Sequence, residues 1–538
     1  MTKALHRYGP AAWFALIVFG ITIPWWANSG YVWLLDSVWG PHEAINWSHP
    51  DTGLLWQIVV HLLVAIFTAP VAEKLVLSLI LWSIGMSGYY LARKLPSPWY
   101  AWAAGTLFLL NPFVYERLLA GQWIVLAGYA LMPTVLALAT MTLQTQGKTG
   151  AYRLAAPLAI FPLVSPHFAY ISFFLLLLLT AVYAVIERPK WLWSKRPAIW
   201  AGCLVVLAAI GNWFWLISPA GRAFQNFTTI DFATFRTATD QTVGLWGNVL
   251  GLYGFWRGQA VIQPKFYIGS AWILVAAVIL AFAIAGAIRA FRSKSTLGIT
   301  LAIAAPVALV LAVGYSSTTI RPLILFLMNY FPGFRGLRDT EKLVGVLALA
   351  YAVLAAYGAS WLEVVLPKWR LTTHVLPAFL VIIAAITVTG IWDGGSLQVP
   401  VANYPAGWYT VRADLAKDPS ATVVVLPWHN YLGLVFAGSA YVAQPAAVFF
   451  SNPVLSSDEV DNILVARPDT PADHLMLALT TGQITPVNWA MQLKSLGAKY
   501  VVVENTDDGI IYSSLVRQSG LTQVYEDQSI SLYQLPKN

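Results

Sequence analysis

The chain holds a few short segments whose side chains can do chemistry. The first reads Tyr31-Val-Trp-Leu-Leu-Asp-Ser-Val-Trp-Gly-Pro-His-Glu43 and follows the first long apolar run. It sets Asp36 among aromatics, where a carboxylate can take a proton from an attacking hydroxyl. The structural alternative is that Asp36 caps a short interfacial helix. Nearby, His42, His49 and His61 with Glu43 and Asp51 are metal-ligand types. Their spacing fits no zinc pattern, so they read better as solvated loop residues.

A second segment, Asn111-Pro112-Phe-Val-Tyr-Glu-Arg-Leu-Leu-Ala-Gly-Gln122, ends an apolar run. Asn-Pro breaks the helix there. Glu116 and Arg117 follow; Arg117 can hold a phosphate or pair locally with Glu116. At Ser165-Pro166-His167 two apolar runs meet. An ionisable group at membrane depth is a functional candidate, so His167 is expected to line a pocket. Phe331-Pro-Gly-Phe-Arg-Gly-Leu-Arg-Asp-Thr-Glu-Lys342 precedes a late apolar run. Arg335, Arg338 and Lys342 recur at helical spacing and are expected to share a face. Such a cluster suits a lipid phosphate or pyrophosphate, which arginine binds in a bidentate fork. Asp339 and Glu341 offer internal salt bridges instead.

These residues must be positioned by a membrane fold. Of 538 residues, 58% are hydrophobic and only 10% charged, against about a quarter charged in soluble domains. Apolar runs near the bilayer-spanning length lie at 11–27, 72–92, 99–114, 123–143, 152–165, 168–187, 198–217, 267–288, 298–314, 343–364 and 374–392. The net charge of +8 sits in short loops between them. That is an orientation signal and not a nucleic-acid face. The lone cysteine, Cys203, lies inside an apolar run, so no disulfide framework or thiolate cluster is expected. The first apolar run is followed by no cleavage site and reads as a retained span.

The run 53–69 carries Gln57 and His61. If it does not cross, Arg93/Lys94, Lys148/Arg153, Arg188 to Arg196, Arg289 to Lys294 and Lys368/Arg370 all fall on one side with Lys3 and Arg7. The positive-inside rule then predicts about eleven spans, the N-terminus inside, 53–69 interfacial or re-entrant, and loops 28–71, 218–266 and 315–342 outside. Residues 398–538 change character and form a separate expectation, a small α/β domain outside the membrane. Strands are predicted at 422–427, 499–504, 521–525 and 530–535, and helices at 406–416, 455–466, 471–481 and 486–496. Trp408, Trp428, His429 and Tyr431 are candidate sugar-stacking residues there, against the plainer reading that the tryptophans fill its core. Asn46-Trp-Ser48 and Asn226-Phe-Thr228 are acceptor sequons.

Together these pieces resemble the GT-C superfamily of membrane glycosyltransferases, in particular large bacterial and archaeal members of the arabinofuranosyltransferase-like kind. The resemblance rests on the acid in the first outer loop, Asn111-Pro112-Phe113 with Arg117 and Gly121, and Phe334-Arg335 through Lys342. In the tail it rests on Val423-Val-Val-Leu-Pro-Trp428, Leu496-Gly-Ala-Lys-Tyr-Val-Val-Val503, Val524-Tyr-Glu-Asp527 and Leu532-Tyr533. Many members pair two acids in the first loop, whereas here Asp36 precedes Ser37; Glu43 or Asp51 would supply a second. The resemblance implies an α-helical polytopic protein of the plasma membrane: a GT-C-like bundle over 1–397 and an extracytoplasmic α/β domain over 398–538. It implies transfer of a sugar from a polyprenyl-phosphate donor to a glycan, lipid or protein acceptor outside. Asp36 would be the base, and Arg335, Arg338, Lys342 and Arg117 would hold the donor phosphate. His167, Glu43, His42 and Glu116 would line the pocket. No cofactor is implied, although the loop carboxylates leave a divalent cation open. The competing readings are a lipid or glycolipid flippase and a non-catalytic scaffold. Against the first, mid-span positions carry almost no charge and no matching halves are visible. Against the second, a scaffold has no need for Asp36 and the late basic cluster to converge.

Overall fold

The computed structural model describes residues 3–47, 50–146, 151–193, 227–257, 265–365, 374–396, 398–457 and 470–536, with Gln263 and scattered positions in 202–217. The expected span 198–217, the expected helix 455–466, His49 and parts of both sequons fall wholly or largely outside these residues.

Among the described residues, seven helices are long and apolar enough to cross a bilayer. They are Tyr8–Ala27 within α1 (Lys3–Ala27), α3 (Ala69–Ala92), α6 (Trp123–Gln144), α8 (Pro166–Glu187), Ala271–Arg292, Thr296–Ser316 and Thr340–Val365. Val375–Thr387 and Thr389–Gly395 make an eighth if their 66° bend lies within one span. This falls short of the eleven expected. The run at 99–114 breaks at Asn111-Pro112 into α4 (Pro98–Leu109) and α5 (Pro112–Leu119). The run at 152–165 gives only the 14-residue α7 (Ala151–Val164), with Pro157 and Pro162 inside. Helix α2 (Leu54–Ile66) has 13 residues, about 20 Å of rise against a hydrocarbon core of about 30 Å. It ends at Phe67 in extended conformation.

The helices Ala271–Arg292 and Val344–Val365 approach through glycine. A Cβ on Gly286 would lie 1.9 Å from the Leu354 carbonyl oxygen, and one on Gly358 2.1 Å from that of Phe282. Small residues let membrane helices touch backbone to backbone.

Beyond the bundle, strands β3 (Thr422–Leu426), β6 (Val454–Leu455), β7 (Ala498–Glu504), β8 (Thr522–Glu526) and β9 (Ile530–Gln534) form one sheet in the order β6-β3-β7-β9-β8. β3 runs parallel to β6 and β7, and β9 antiparallel to β7 and β8. Val423, Val424 and Val425 are fully buried, as a strand covered on both faces requires. Helices Pro471–Thr480, Pro486–Ser495 and Gly509–Gln518 accompany the sheet; the last has no counterpart in the sequence reading. A separate antiparallel hairpin pairs β4 (Tyr431–Leu434) with β5 (Ala440–Ala443).

The first loop is clasped between bundle and tail. β1 (Tyr31–Val32) pairs with β2 (Val401–Ala402). The Trp33 ring meets Tyr404 at 5.0 Å and Phe436 at 5.3 Å, both edge-on. The Tyr404 hydroxyl donates to the Trp39 carbonyl at 2.9 Å. From the bundle side, Glu73 of α3 accepts the Val32 N–H at 2.9 Å. The loop carrying Asp36 is therefore a fixed element, held by partners far away in sequence.

Candidate active site

Asp36 lies on a turn closed by the Leu34–Ser37 bridge, and its N–H donates to the Ala120 carbonyl at 2.9 Å. The contact depends on Gly121, the residue after α5's C-cap. Gly121 adopts φ +71°, and a Cβ there would come within 2.7 Å of the Ser37 nitrogen and 3.0 Å of the Asp36 nitrogen. Glycine supplies both the left-handed conformation and the room. Gly121→Ala is expected to destabilise the fold by about 1–3 kcal/mol, visible as a lowered melting temperature in detergent.

The Asp36 carboxylate receives one donor on each oxygen. Gln122 Nε2 donates to Oδ2 at 2.9 Å, and the Tyr431 hydroxyl donates to Oδ1 at 2.5 Å. The Gln122 amide is oriented by Arg117, whose guanidinium donates to Gln122 Oε1. Arginine has only donors, so the Gln122 oxygen must face it and the amide N–H must face Asp36. Arg117 in turn pairs with Glu341 at 3.1 Å, both side chains 1% exposed. Its guanidinium also lies 4.9 Å from the Phe255 ring centre. Glu341, Arg117, Gln122 and Asp36 thus form one chain running from the start of the last long helix to the first loop.

Asp36 opens onto a cavity of about 430 Å³, a ligand-sized volume. Gln122 and Trp123, His167, Arg338, Asp339 and Lys342, and Tyr431 all line it. Phe227, Phe235 and Trp256 add an aromatic wall, and Asn430 a second tail residue. The Arg338 guanidinium is sandwiched between the rings of Phe227 at 4.2 Å and Phe235 at 4.1 Å. Among the described residues Arg338 makes no ion pair with a carboxylate, so its charge is available to an anion. Lys342 is different: its ammonium pairs with Asp339 at 2.5 Å.

The cavity therefore gathers Asp36, Arg338, Lys342 and His167 and leaves out the other expected site residues. Arg335 is not among the lining residues. It sits in a short 3-10 turn, Phe334–Leu337, and Asp339 (φ −91°, ψ 85°) interrupts the path to the next turn, Thr340–Leu343. The expected helical phase is lost, and Arg335 Nε donates instead to the Met328 carbonyl at 3.2 Å. Arg117 is buried in the pair with Glu341 and is not among the lining residues either. Glu116 turns away to accept Gln263 Nε2 at 2.6 Å and the Phe255 N–H at 3.2 Å. Burial pushes its carboxyl up to about 7, against those donors and Arg117.

Glu43 and His42 are also outside the lining. Glu43 accepts the Gly40 N–H at 3.0 Å, and burial pushes its carboxyl up to about 7. The His42 N–H donates to the Val448 carbonyl. Burial lowers the ring's pKa, with Arg412 and His61 acting in the same direction. Among the described residues no group of three or more His, Cys, Asp or Glu side chains is gathered to hold a metal.

In the tail, Trp408 is fully buried, and Trp428 is buried with its indole N–H on Asp473 at 2.9 Å. Both fill the interior and are not sugar platforms. Gln122, Asn430, Asp339, Phe227, Phe235, Trp123 and Trp256 are cavity residues that the sequence reading did not assign. Gln122 had a signal, since it closes the segment that begins at Asn111. The aromatic residues had none, because the chain is 14% aromatic throughout.

No family model and no curated protein matches the sequence. Solved structures do. The arabinofuranosyltransferase AftD from Mycobacteria matches with a TM-score of 0.64 and 16% identity, over 100% of this chain and 40% of that one. A point mutant of it matches with a TM-score of 0.61 and 13% identity, over 98% and 41%. A looser match is ArnT from Cupriavidus metallidurans bound to undecaprenyl phosphate, with a TM-score of 0.49 and 11% identity over 99% of each chain. This chain thus spans about 40% of the arabinofuranosyltransferase's length. The likeness is one of fold.

Proposed function

We propose that this protein is a membrane glycosyltransferase whose active centre is the Asp36 cavity, with a polyprenyl-phosphate sugar as donor. One observation carries the reading: a two-donor-held carboxylate and an arginine with no carboxylate partner among the described residues line the same cavity. In the transfer, the acceptor hydroxyl gives its proton to Asp36 as its oxygen bonds to the anomeric carbon. The bond from that carbon to the phosphate oxygen breaks, and the electron pair leaves with the polyprenyl phosphate. Arg338 and Lys342 offset the charge that develops on the leaving phosphate. The aromatic wall of Trp256 and Phe235, 4.7 Å apart and edge-on, offers faces for a sugar ring. The fold shared with an arabinofuranosyltransferase supports this chemistry. The basic-loop bias supports a cytoplasmic N-terminus, with the cavity and tail on the outer face of the plasma membrane.

Arg338 carries the donor side of the proposal. Arg338→Ala is expected to weaken binding of undecaprenyl phosphate to protein in nanodiscs by about tenfold or more, while Asp36→Asn leaves that binding unchanged. Equal binding by native and Arg338→Ala proteins would place the phosphate elsewhere.

A further inference from the structure

The tail reaches the reacting centre directly. Tyr431 and Asn430 line the cavity, and the Tyr431 hydroxyl meets Asp36 Oδ1 across 395 residues of sequence. We propose that Tyr431 is a positioning residue of the active centre, and that the tail hairpin completes the site by orienting the Asp36 carboxylate. The inference rests on Asp36 being the base of the proposed transfer.

Independent contacts fix Tyr431 where it can do this. On the adjacent strand, the Ala443 N–H donates to the Leu35 carbonyl at 2.7 Å, and Ala443 is Tyr431's partner in the β4–β5 register. The hairpin thus grips both Leu35 by backbone and Asp36 by side chain. The Arg257 guanidinium lies 4.6 Å from the centre of the Tyr431 ring. His429 approaches the Tyr431 carbonyl through Nδ1 at 2.8 Å and Asp508 Oδ2 through Nε2 at 2.7 Å, so the β4 entry is tied to the body of the tail.

The arrangement has a chemical consequence. Gln122 takes Oδ2 and Tyr431 takes Oδ1, so the carboxylate cannot rotate. Each oxygen keeps a lone pair for the acceptor hydroxyl. Removing the Tyr431 donor frees Oδ1 and lets the carboxylate turn from the acceptor hydroxyl.

The test uses full-length protein in liposomes with a synthetic polyprenyl-phosphate sugar. Tyr431→Phe is expected to lower kcat about tenfold and change the donor KM little. Tyr441→Phe, on the exposed side of the same hairpin, should match the native enzyme. Because Tyr431→Phe can fail to fold, 3-fluorotyrosine is also placed at 431. It is nearly isosteric and a stronger donor, so kcat should shift while the donor KM and the melting temperature stay native. A kcat unmoved by both changes overturns the inference. An Asp36→Asn control separates the levels: if that variant keeps full transfer, the proposed function itself fails.

Discussion

Asp36→Asn is expected to reduce glycosyl transfer by about a thousandfold, within the range that a positioned general base contributes, without unfolding the protein. The amide keeps the shape: its oxygen can accept from Gln122 and its nitrogen can donate to the Tyr431 hydroxyl oxygen, so the local structure has little reason to change. What it loses is the capacity to take a proton. Undecaprenyl phosphate binding should persist, because Arg338 and Lys342 are untouched. Loss of kcat with retained binding is the expected pattern. Retained transfer would remove Asp36 from the mechanism. Loss of binding as well would mean that the cavity collapses without the carboxylate.

Arg117→Met should have the other large effect, and on stability first. Arg117 and Glu341 are each 1% exposed, and removing one partner leaves the other charge buried alone. Breaking a buried pair this way costs about 3–5 kcal/mol. The melting temperature in detergent should fall sharply. The double variant Arg117→Met, Glu341→Met removes the stranded charge and should recover most of the loss. Its transfer activity should stay low. Without Arg117, nothing forces the Gln122 oxygen away from Asp36, and the amide can flip. A double variant that regains both stability and activity would show that Arg117 serves folding alone.

These two residues also mark how far sequence reading reaches. Asp36 stood out as a candidate by its type and place, an acid among aromatics just past an apolar run, and it lines the cavity. Arg117 was legible as a candidate, but its partner was not. The neighbour Glu116 was the obvious mate; the chosen one, Glu341, lies 224 residues away. Arg335 shows a different failure. The spacing 335, 338, 342 suggests one helical face, and the chain instead makes two 3-10 turns separated at Asp339. A face inferred from period holds only while the period does.

The sequence by itself determined the membrane class, because no soluble core absorbs so much apolar chain. It determined the break at Asn111-Pro112, since proline removes a helix donor. It also pointed to strands β3, β7, β8 and β9 through apolar and β-branched composition. Only the tertiary structure decided what surrounds Asp36. Gln122, Tyr431, Arg338 and Lys342 come from elements spread over almost 400 positions, with 395 between Asp36 and Tyr431 alone. Local propensity and periodicity act over a few turns and carry no information about such pairings. The first loop, the Asn111–Gln122 segment, the late basic stretch and the tail hairpin meet at Asp36 because packing brings them there.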